Sequence, residues 1–433
     1  MVLSSNSGPS TPFEWLSGGL FFGKKAVKPN QINSSKDIVA LLHGVQQCLL
    51  SLQENSTLEN TDDQGTTMTH DIVNDHNLEE SLSARLRRLR FLLYDERRHT
   101  SQSETPDCSQ PAVASKVIET LISINGVVTE NGVTDLTQLL MTNLYMLPFE
   151  ARKDFSAIFS YLLVCGLEGV DAESYRTCMT DFCTYVERNF ESIISCLVKN
   201  HDSSTSMVDL DVVLHSGMMF RSCIKHLSLF QKLISTRETV EEFVFPFLDK
   251  FVHSPNFDCA SDAMESLKMI LSGGSETLAE IDVDPNVNSR SQQLAEFLER
   301  YYEEIWERRF NTKLLSSEES SYLIRRVALQ ILTSVLLKRT NYSIMVRYIN
   351  DKNNLILIML LLRDKSPHIT LDAFHVFKIF VINPNKPPEI IKILSTNKAK
   401  LRTYLDGLHK EKELKETQFR DEKALVISTI DAL

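Results

Sequence analysis

The sequence of 433 residues predicts an all-α fold, a right-handed α-solenoid of HEAT/armadillo-like helical repeats. Apolar residues recur at steps of three and four along most of the chain, as they do on one face of a helix. Glycine and proline number only 14 and 13, which disfavours folds that need many tight turns. No stretch alternates apolar and polar residues between hairpin turns, so we expect no sheet. The predicted helices recur in pairs or triples of roughly 35–45 residues, a spacing typical of helical repeats.

The N-terminal segment 1–30 is rich in serine, glycine and proline, and it predicts a disordered tail. The helical-repeat scaffold is then expected to span 31–433. Its first two apolar stripes run over 38–52 and 78–93. Polar stretches between helices predict loop insertions near 54–77, 96–112 and 273–290.

Further helices follow from the same periodicity, with breaks where proline or a polar turn residue interrupts it. Pro148 separates two helices, and the proline-rich segment 383–388 separates two others. These helices are expected near 114–125, 133–147, 149–165, 178–199, 208–226, 229–235, 239–252, 258–272, 291–309, 318–339, 341–350, 352–363, 367–382, 388–405 and 411–431.

Composition and charge exclude several classes of protein. The formal charge is −11, because 57 acidic residues outnumber 46 lysines and arginines, and this argues against a nucleic-acid partner. No apolar run reaches the ~18 residues of a membrane span, so we expect no membrane insertion. The eight cysteines form no C-x-x-C pair, which is typical of buried thiols in a reducing compartment. These features predict a cytoplasmic protein.

Two near-matches to ligand-binding motifs fail at identifiable positions, so we predict no cofactor and no metal. Gly18–Lys25 matches the phosphate loop G-x-x-x-x-G-K, but Lys25 replaces the hydroxyl residue that would bind Mg²⁺. Asp282–Gln293 opens like a calcium loop, but Val287 replaces the required glycine and Gln293 the bidentate glutamate. No histidine has zinc spacing, and no serine lies in a nucleophile elbow. We therefore expect no catalytic residues and no enzymatic activity.

An arginine-rich stretch on the second apolar stripe has two interpretations. A solvated helix face is favoured, and a surface for an acidic partner segment is the alternative. The arginines are Arg85, Arg87, Arg88, Arg90, Arg97 and Arg98.

Six sequence blocks, in register from near the start to the C-terminal half, resemble the mouse protein 25 family, also called calcium-binding protein 39. The C-terminal blocks are the most specific ones. The blocks are Phe21–Lys24, Gly217–His226, Asn256–Ala263, Met359–Ser366, Ala373–Val381 and Asn383–Lys386.

The resemblance implies a curved rod whose concave face binds a sterile-20-type protein kinase or pseudokinase and holds the kinase active by contact. It also implies a role in cell polarity, morphogenesis and cell separation, with the protein concentrated at sites of polarised growth or division. Whether the kinase is bound alone or in a ternary complex is left open. The implied contact residues on the concave face are Tyr322, Arg326, Arg339 and Tyr342, and aromatic and arginine side chains are also what interface hot spots favour.

A second implied surface is a pocket that accepts a Trp-Glu-Phe tail in the family. Met359 and Lys400 match this pocket, and a methionine thioether adapts well to an aromatic guest. Ile356 and Thr396 stand where the family often has lysines. These two departures weaken the expectation of the same acidic and aromatic tail.

Two other classes of function stay open. An armadillo-type adaptor would carry cargo or support assembly without acting on kinases, and the partners recovered from cells would distinguish it. An enzyme built on helical repeats would need a pocket of converging titratable groups.

Overall fold

The computed structural model describes residues 35–59, 68–93, 117–118, 121, 127–129, 132–164, 182–202, 209–273, 290–316 and 320–433. Most of these residues are α-helical. The α-helices are α1 Ser35–Glu59, α2 Met68–Leu93, α3 Leu136–Thr142, α4 Phe149–Val164, α5 Phe190–Lys199, α6 Leu210–Lys225, α7 Leu227–Ser235, α8 Arg237–Phe243, α9 Phe245–Asp249, α10 Phe257–Ser272, α11 Arg290–Arg300, α12 Tyr322–Leu337, α13 Tyr342–Asn350, α14 Lys352–Leu361, α15 Pro367–Ile382, α16 Pro388–Thr396, α17 Lys398–Gly407, α18 Lys410–Lys415 and α19 Thr417–Asp431.

Other helical segments and one hairpin complete the described secondary structure. Residues 182–188 form a further helical segment before α5. The remaining elements are the 3₁₀ turns Leu144–Met146, Phe251–His253 and Arg339–Asn341, a π-helix Glu303–Leu315, and the strands β1 Val127–Thr129 and β2 Gly132–Thr134.

Local sequence signals set several helix boundaries. The side chain of Asn256 accepts hydrogen bonds from the backbone N–H groups of Asp258, at 2.9 Å, and Cys259, and so begins α10. Gly273 ends α10 with a φ of 82°, a left-handed conformation that glycine adopts without strain. Pro367 lies in the first turn of α15, where its missing N–H costs no hydrogen bond.

One row of helices runs through the molecule, in which α1, α2, α4, α6, α10, α12, α15 and α19 each pack on the next. Polar contacts also join neighbouring helices of this row. Arg221 on α6 donates to Asp262 on α10, and Lys378 on α15 donates to Glu422 on α19. This row of helices, each packed on the next, confirms the predicted helical-repeat solenoid.

The buried side chains form one continuous hydrophobic core from Ile38 in α1 to Ile430 in α19. Trp306 and Tyr348 are its two largest fully buried side chains, and their ring centroids lie 6.3 Å apart. A helix pair in a solenoid cannot bury its apolar face alone, so the core follows the row from one repeat to the next.

A short hairpin departs from the expected absence of a sheet. The strands β1 and β2 pair antiparallel, and the predicted helix over 133–147 begins only at Leu136. Asp135 caps this helix by accepting a hydrogen bond of 2.8 Å from the backbone N–H of Gln138. The strands contain β-branched residues, which favour extended backbone. With three residues each, they are too short to give a recognisable alternation.

The loop expected over 54–77 is shorter at both ends than the sequence predicted. Helix α1 continues to Glu59, and α2 begins at Met68. Apolar periodicity reports a buried helix face, so a polar stretch argues neither for nor against a helical backbone. The expected N-terminal tail 1–30, the loop near 96–112 and the interior of the loop near 273–290 lie outside the described residues.

Several predicted helices are divided in the structure, among them those expected over 388–405, now α16 and α17, and over 411–431, now α18 and α19. The helix expected over 239–252 is split into α8, α9 and a 3₁₀ turn, because Pro246 has no N–H to continue the ladder. The helix expected over 291–309 changes after Arg300 into the π-helix Glu303–Leu315, a form that apolar periodicity does not distinguish from an α-helix.

Candidate partner-binding surfaces

Tyr322 and Arg326 form a contact pair at the start of α12. Ser321 caps this helix by accepting a hydrogen bond from the backbone N–H of Ile324, and so fixes Tyr322 in the first turn. The Tyr322 hydroxyl accepts a hydrogen bond of 3.2 Å from Nη1 of Arg326, one helical turn later. Nε of Arg326 lies 3.7 Å from Oδ2 of Asp372 on α15. With Tyr322 47% exposed, the pair offers an aromatic ring and an oriented guanidinium to solvent.

Burial raises the pKa of Asp372, and the charge of Arg326 opposes that shift. A parallel ion pair joins the same two repeats, because Nη1 of Arg325 lies 3.6 Å from Oδ2 of Asp364. Adjacent arginines of α12 are therefore both anchored on the next repeat. This anchoring limits the freedom of Arg326 before any partner binds.

Arg339 and Tyr342 lie at the other end of α12. Both are exposed, Tyr342 by 66%, and they flank the buried Asn341. Nδ2 of Asn341 donates a hydrogen bond of 3.0 Å to the carbonyl of Val335, which fixes the 3₁₀ turn between α12 and α13. Because α12 has 16 residues, it is about 24 Å long. The structure therefore divides the four sequence-predicted residues into two pairs at opposite ends of one helix.

The residues expected to form a tail pocket lie on three helices, α14, α16 and α17. Met359 on α14 is half-buried against the core, and Lys400 on α17 is exposed. The hydroxyl of Tyr404, one turn after Lys400, donates to the carbonyl of Leu362 and joins α17 to the end of α14. Nζ of Lys352 lies 2.7 Å from Oε1 of Glu389, and this ion pair joins the start of α14 to the start of α16.

The surface of α14 is apolar where the sequence departs from the expected lysine. Ile356 and Leu360 are one turn apart and are 44% and 61% exposed, and Thr396 is exposed at the end of α16. An aliphatic stripe of this kind binds apolar groups and offers no charge for an acidic one. Lys400 is the cation among the positions assigned to this pocket.

A buried cluster that the sequence did not predict joins α6 to α10. Arg221 donates to Oδ1 of Asp262 at 2.7 Å and to the hydroxyl of Ser266 at 2.9 Å. Nε2 of the buried His201 lies 3.4 Å from Oδ2 of Asp262. Burial raises the pKa of Asp262, but the charge of Arg221 and hydrogen bonds from His201 and Arg221 outweigh it and hold the pKa below its usual value.

Gly217 allows this cluster to form, because a Cβ atom at its position would lie 1.9 Å from Oδ2 of Asp262. Gly217 and Asp262 belong to two of the blocks that carried the family resemblance. Their sequence positions gave no sign of contact, since the two residues meet only when α6 packs on α10. The cluster has a structural role, which is to fasten two repeats together.

Part of the arginine-rich stretch on α2 is paired within the chain. Nη2 of Arg87 lies 3.2 Å from Oε2 of Glu150, and Nη1 of Arg90 lies 2.8 Å from Oδ1 of Asp154, both on α4. Burial raises the pKa of Asp154, and the charges of Arg90 and Arg87 oppose the shift. These two arginines therefore fasten neighbouring repeats, a third role beside the two interpretations that the sequence offered. Arg97 and Arg98 lie outside the described residues.

One cysteine and histidine pair has the separation of a nucleophile and its base. Sγ of Cys183 lies 3.6 Å from Nδ1 of His226. Burial raises the pKa of the Cys183 thiol to about 11 and lowers the pKa of His226, so both groups are neutral near pH 7. A neutral buried thiol is a poor nucleophile, and the pair has a packing role.

Metal sites and membrane spans are two further classes of feature to consider in the described part of the chain. No group of three or more histidine, cysteine, aspartate or glutamate side chains there is arranged to hold a metal ion. None of the described helices is long and apolar enough to span a membrane. The phosphate-loop-like segment, and the calcium-loop-like segment up to Ser289, lie outside the described part of the chain.

A family model described as Mo25-like matches residues 36–433. A Mo25-like protein of Schizosaccharomyces pombe is 35% identical over 300 residues, which cover 69% of this chain and 78% of that protein. A degreening-related gene dee76 protein of Auxenochlorella protothecoides is 33% identical over 310 residues, 71% of this chain and 83% of that protein. Calcium-binding protein 39-like of Mus musculus is 33% identical over 293 residues, 67% of this chain and 74% of that protein.

Proposed function

Because the chain belongs to the Mo25-like family, we propose that it is a non-catalytic scaffold that binds and activates a sterile-20-type protein kinase or pseudokinase. The observation that carries the proposal is the exposed pair of Tyr322 and Arg326, held by a 3.2 Å hydrogen bond and anchored near Asp372. Arginine and tyrosine are enriched at positions that dominate binding free energy. A pair that is already oriented loses less side-chain entropy when a partner binds.

Activation by such a scaffold is a shift of population. A partner that binds the closed conformation of a kinase more tightly than the open one stabilises the closed form by that difference in affinity. The two residue pairs at the ends of α12 would contact the kinase domain at two points about 24 Å apart. Two contacts at this separation would both form in one conformation of the domain and not in another. No chemistry by the scaffold itself is needed.

The apolar stripe of α14 supplies a second contact in this proposal. Met359, Ile356 and Leu360 would take an apolar side chain from a tail of the kinase or of a third protein, with Lys400 beside it. Two linked contacts raise overall affinity because the second binding event is intramolecular. We also propose, on the family resemblance alone, that the protein acts in the cytoplasm, at sites of polarised growth or division, in a pathway of cell polarity or morphogenesis.

The test is a binding and kinase assay with a sterile-20-type kinase of the host. Arg326→Ala is expected to weaken binding by about 2 kcal/mol, or roughly 30-fold, because it removes the guanidinium of the surface pair. Arg326→Ala combined with Met359→Ala is expected to abolish activation. Arg188→Ala, which changes an exposed arginine on residues 182–188, is the matched control and should bind like the wild type.

Two results would count against the proposal. One is the absence of kinase binding by the wild-type chain, and the other is equal binding by Arg326→Ala and Arg188→Ala. Recovery from cells of cargo proteins without any kinase would favour the adaptor alternative.

A further inference from the structure

A charged cleft lies between α8, α9 and the π-helix, on elements separate from the two surfaces described above. Its volume is about 260 Å³. This is below the roughly 300–1,000 Å³ of sites that enclose a small-molecule ligand, and suits a single side chain or a phosphate group. The charged side chains that line it are the cations Arg237, Arg308, Arg309 and Lys313 and the carboxylates Glu241 and Glu304.

The π-helix brings these cations to one wall. Glu304 and Lys313 are nine positions apart, which would be two and a half turns of an α-helix and would place them on opposite faces. In a π-helix each N–H bonds five residues back, so a turn takes more residues and both side chains line the cleft. Nη1 of Arg309 donates a 3.0 Å hydrogen bond to the carbonyl of Glu304, which fixes Arg309 between them. π-helical turns are rare in proteins, and many of those that are found lie at functional sites.

Most of the cleft's charges are already paired. Nε of Arg237 lies 2.7 Å from Oε1 of Glu241, and its Nη1 lies 3.1 Å from Oε1 of Glu304. The carboxylate of Asp249, at the end of α9, forms two ion pairs. It lies 3.0 Å from Nε of Arg309 and 2.8 Å from Nζ of Lys313. Three carboxylates therefore neutralise three of the four cations.

Arg308 is the remaining cation. It is exposed, and none of the ion pairs among the described residues involves its guanidinium. The cleft thus carries one positive charge in excess, on a wall that Arg309 and Lys313 also line. That excess charge would attract an anion to Arg308.

The floor of the cleft is aromatic. The guanidinium of Arg309 lies over the ring of Phe245, 3.8 Å from its centroid. Phe245 is buried, so one side of the cleft is shielded from water. Charge-assisted hydrogen bonds to an anion are stronger where water is partly excluded.

We propose that this cleft binds one anionic oxygen group presented by a segment of a partner protein, with Arg308 as its principal ligand. The group is the carboxylate of an acidic side chain or the phosphate of a phosphorylated one. Arginine suits both groups because its planar fork donates two parallel hydrogen bonds.

The experiment uses the full chain and three fluorescent peptides of one sequence. The central residue of an otherwise neutral peptide is serine, glutamate or phosphoserine, and binding is measured by fluorescence anisotropy. The wild type is expected to bind at least one charged peptide about fivefold more tightly than the serine peptide, a preference that weakens as salt is raised. Arg308→Ala should abolish the preference, and Arg188→Ala should keep it.

Each possible result of this experiment either supports the proposal or contradicts it. Preference for the glutamate or for the phosphoserine peptide supports the proposal and identifies the source of the anion. Equal or undetectable binding of all three peptides would overturn it, as would a preference that persists in Arg308→Ala. Inorganic phosphate that binds as tightly as the phosphoserine peptide would overturn the assignment to a protein segment.

Discussion

At the scale of single residues, Gly217 shows how one missing side chain determines a contact between repeats. A Cβ atom there would lie 1.9 Å from Oδ2 of Asp262, whereas a Cβ atom at Gly407 would meet nothing within 4 Å. We expect Gly217→Ala to displace the carboxylate from Arg221 and His201. The expected loss is about 3 kcal/mol of unfolding free energy, as for a broken buried ion pair.

Urea denaturation of the two alanine variants tests this expectation. Gly407→Ala is the control, and it should leave stability unchanged or raise it slightly, because alanine favours the helix. Equal stabilities of the Gly217 and Gly407 variants would contradict the role assigned to the glycine.

The depressed pKa of Asp262 predicts a dependence of stability on pH. A carboxyl whose pKa is lower in the folded state than in the unfolded state stabilises the fold above its unfolded pKa, about 3.9. That contribution is lost as the pH falls through the folded pKa. We therefore expect Asp262→Asn to be less stable than the wild type at pH 7, with a difference that shrinks below about pH 4.

Urea titrations at pH 7 and at several acidic pH values measure that difference. The control is Asp421→Asn, because the carboxyl of Asp421 is 71% exposed and, among the residues that the structure describes, its one ion pair is with its neighbour Arg420. Its difference from the wild type should stay near zero at each pH. A wild-type advantage over Asp262→Asn that does not change with pH would contradict the prediction.

The sequence named some of the residues at the candidate surfaces, but it did not give the partners that other residues contact. Tyr322 and Arg326 were named on the family resemblance, and the structure places them in contact on the surface. The helix expected near 318–339 already separated Tyr322 from Arg339, and in the structure the two residues lie at opposite ends of α12. The partners of Gly217 and Arg90 could not be predicted, because they depend on how one helix packs on the next.

At the scale of elements, the π-helix is held against α13 and α14 by a buried polar network. Nδ2 of Asn311 donates to Oδ1 of Asn354 at 2.8 Å, and the hydroxyl of Tyr348 donates to Oδ1 of Asn311 at 3.0 Å. We expect Asn311→Leu to leave both partners unpaired in the core. The expected loss is about 2–3 kcal/mol, from two buried polar groups without hydrogen bonds.

Thermal unfolding of Asn311→Leu, followed by circular dichroism, gives the measurement. Thr312→Ala is the neighbouring control, since Thr312 is exposed and its hydroxyl donates to the backbone carbonyls of Arg308 and Arg309 in its own helix. If both variants unfolded at the wild-type temperature, the network would not stabilise this element.

Element boundaries were predicted where the chemistry of the chain changes abruptly. Helix α15 was expected over 367–382 and is found there, because Pro367 and Asn383 interrupt the apolar stripe at both ends. The hairpin at Val127–Thr129 was missed, since three residues are too few to show a period. The π-helix was missed because its residues also satisfy an α-helical stripe over most of their length.

At the scale of the whole molecule, α19 is the last helix of the row in this sequence, and it covers α15. The ring of Phe374 on α15 packs against Phe419, with centroids 5.4 Å apart, and Lys378 pairs with Glu422 at 2.7 Å. We expect removal of 417–433 to expose the apolar face of α15 and to cause association. End repeats with a polar outer face keep such arrays soluble.

Light scattering of the truncated and full chains at equal concentration measures this association. A shorter truncation that removes only Ala432 and Leu433 is the control, because both residues are exposed. A monomeric product from the longer truncation would show that α19 does not act as a cap.

The predicted solenoid followed from composition and periodicity, and the stacking of its helices in one row follows from the fold. Along this row each helix packs on the helix before it and on the helix after it. Evolution can therefore change the span of this molecule in steps. Gain or loss of one repeat would alter its length by one helix spacing, about 8–10 Å, and would leave the arginine and tyrosine pair on α12 intact.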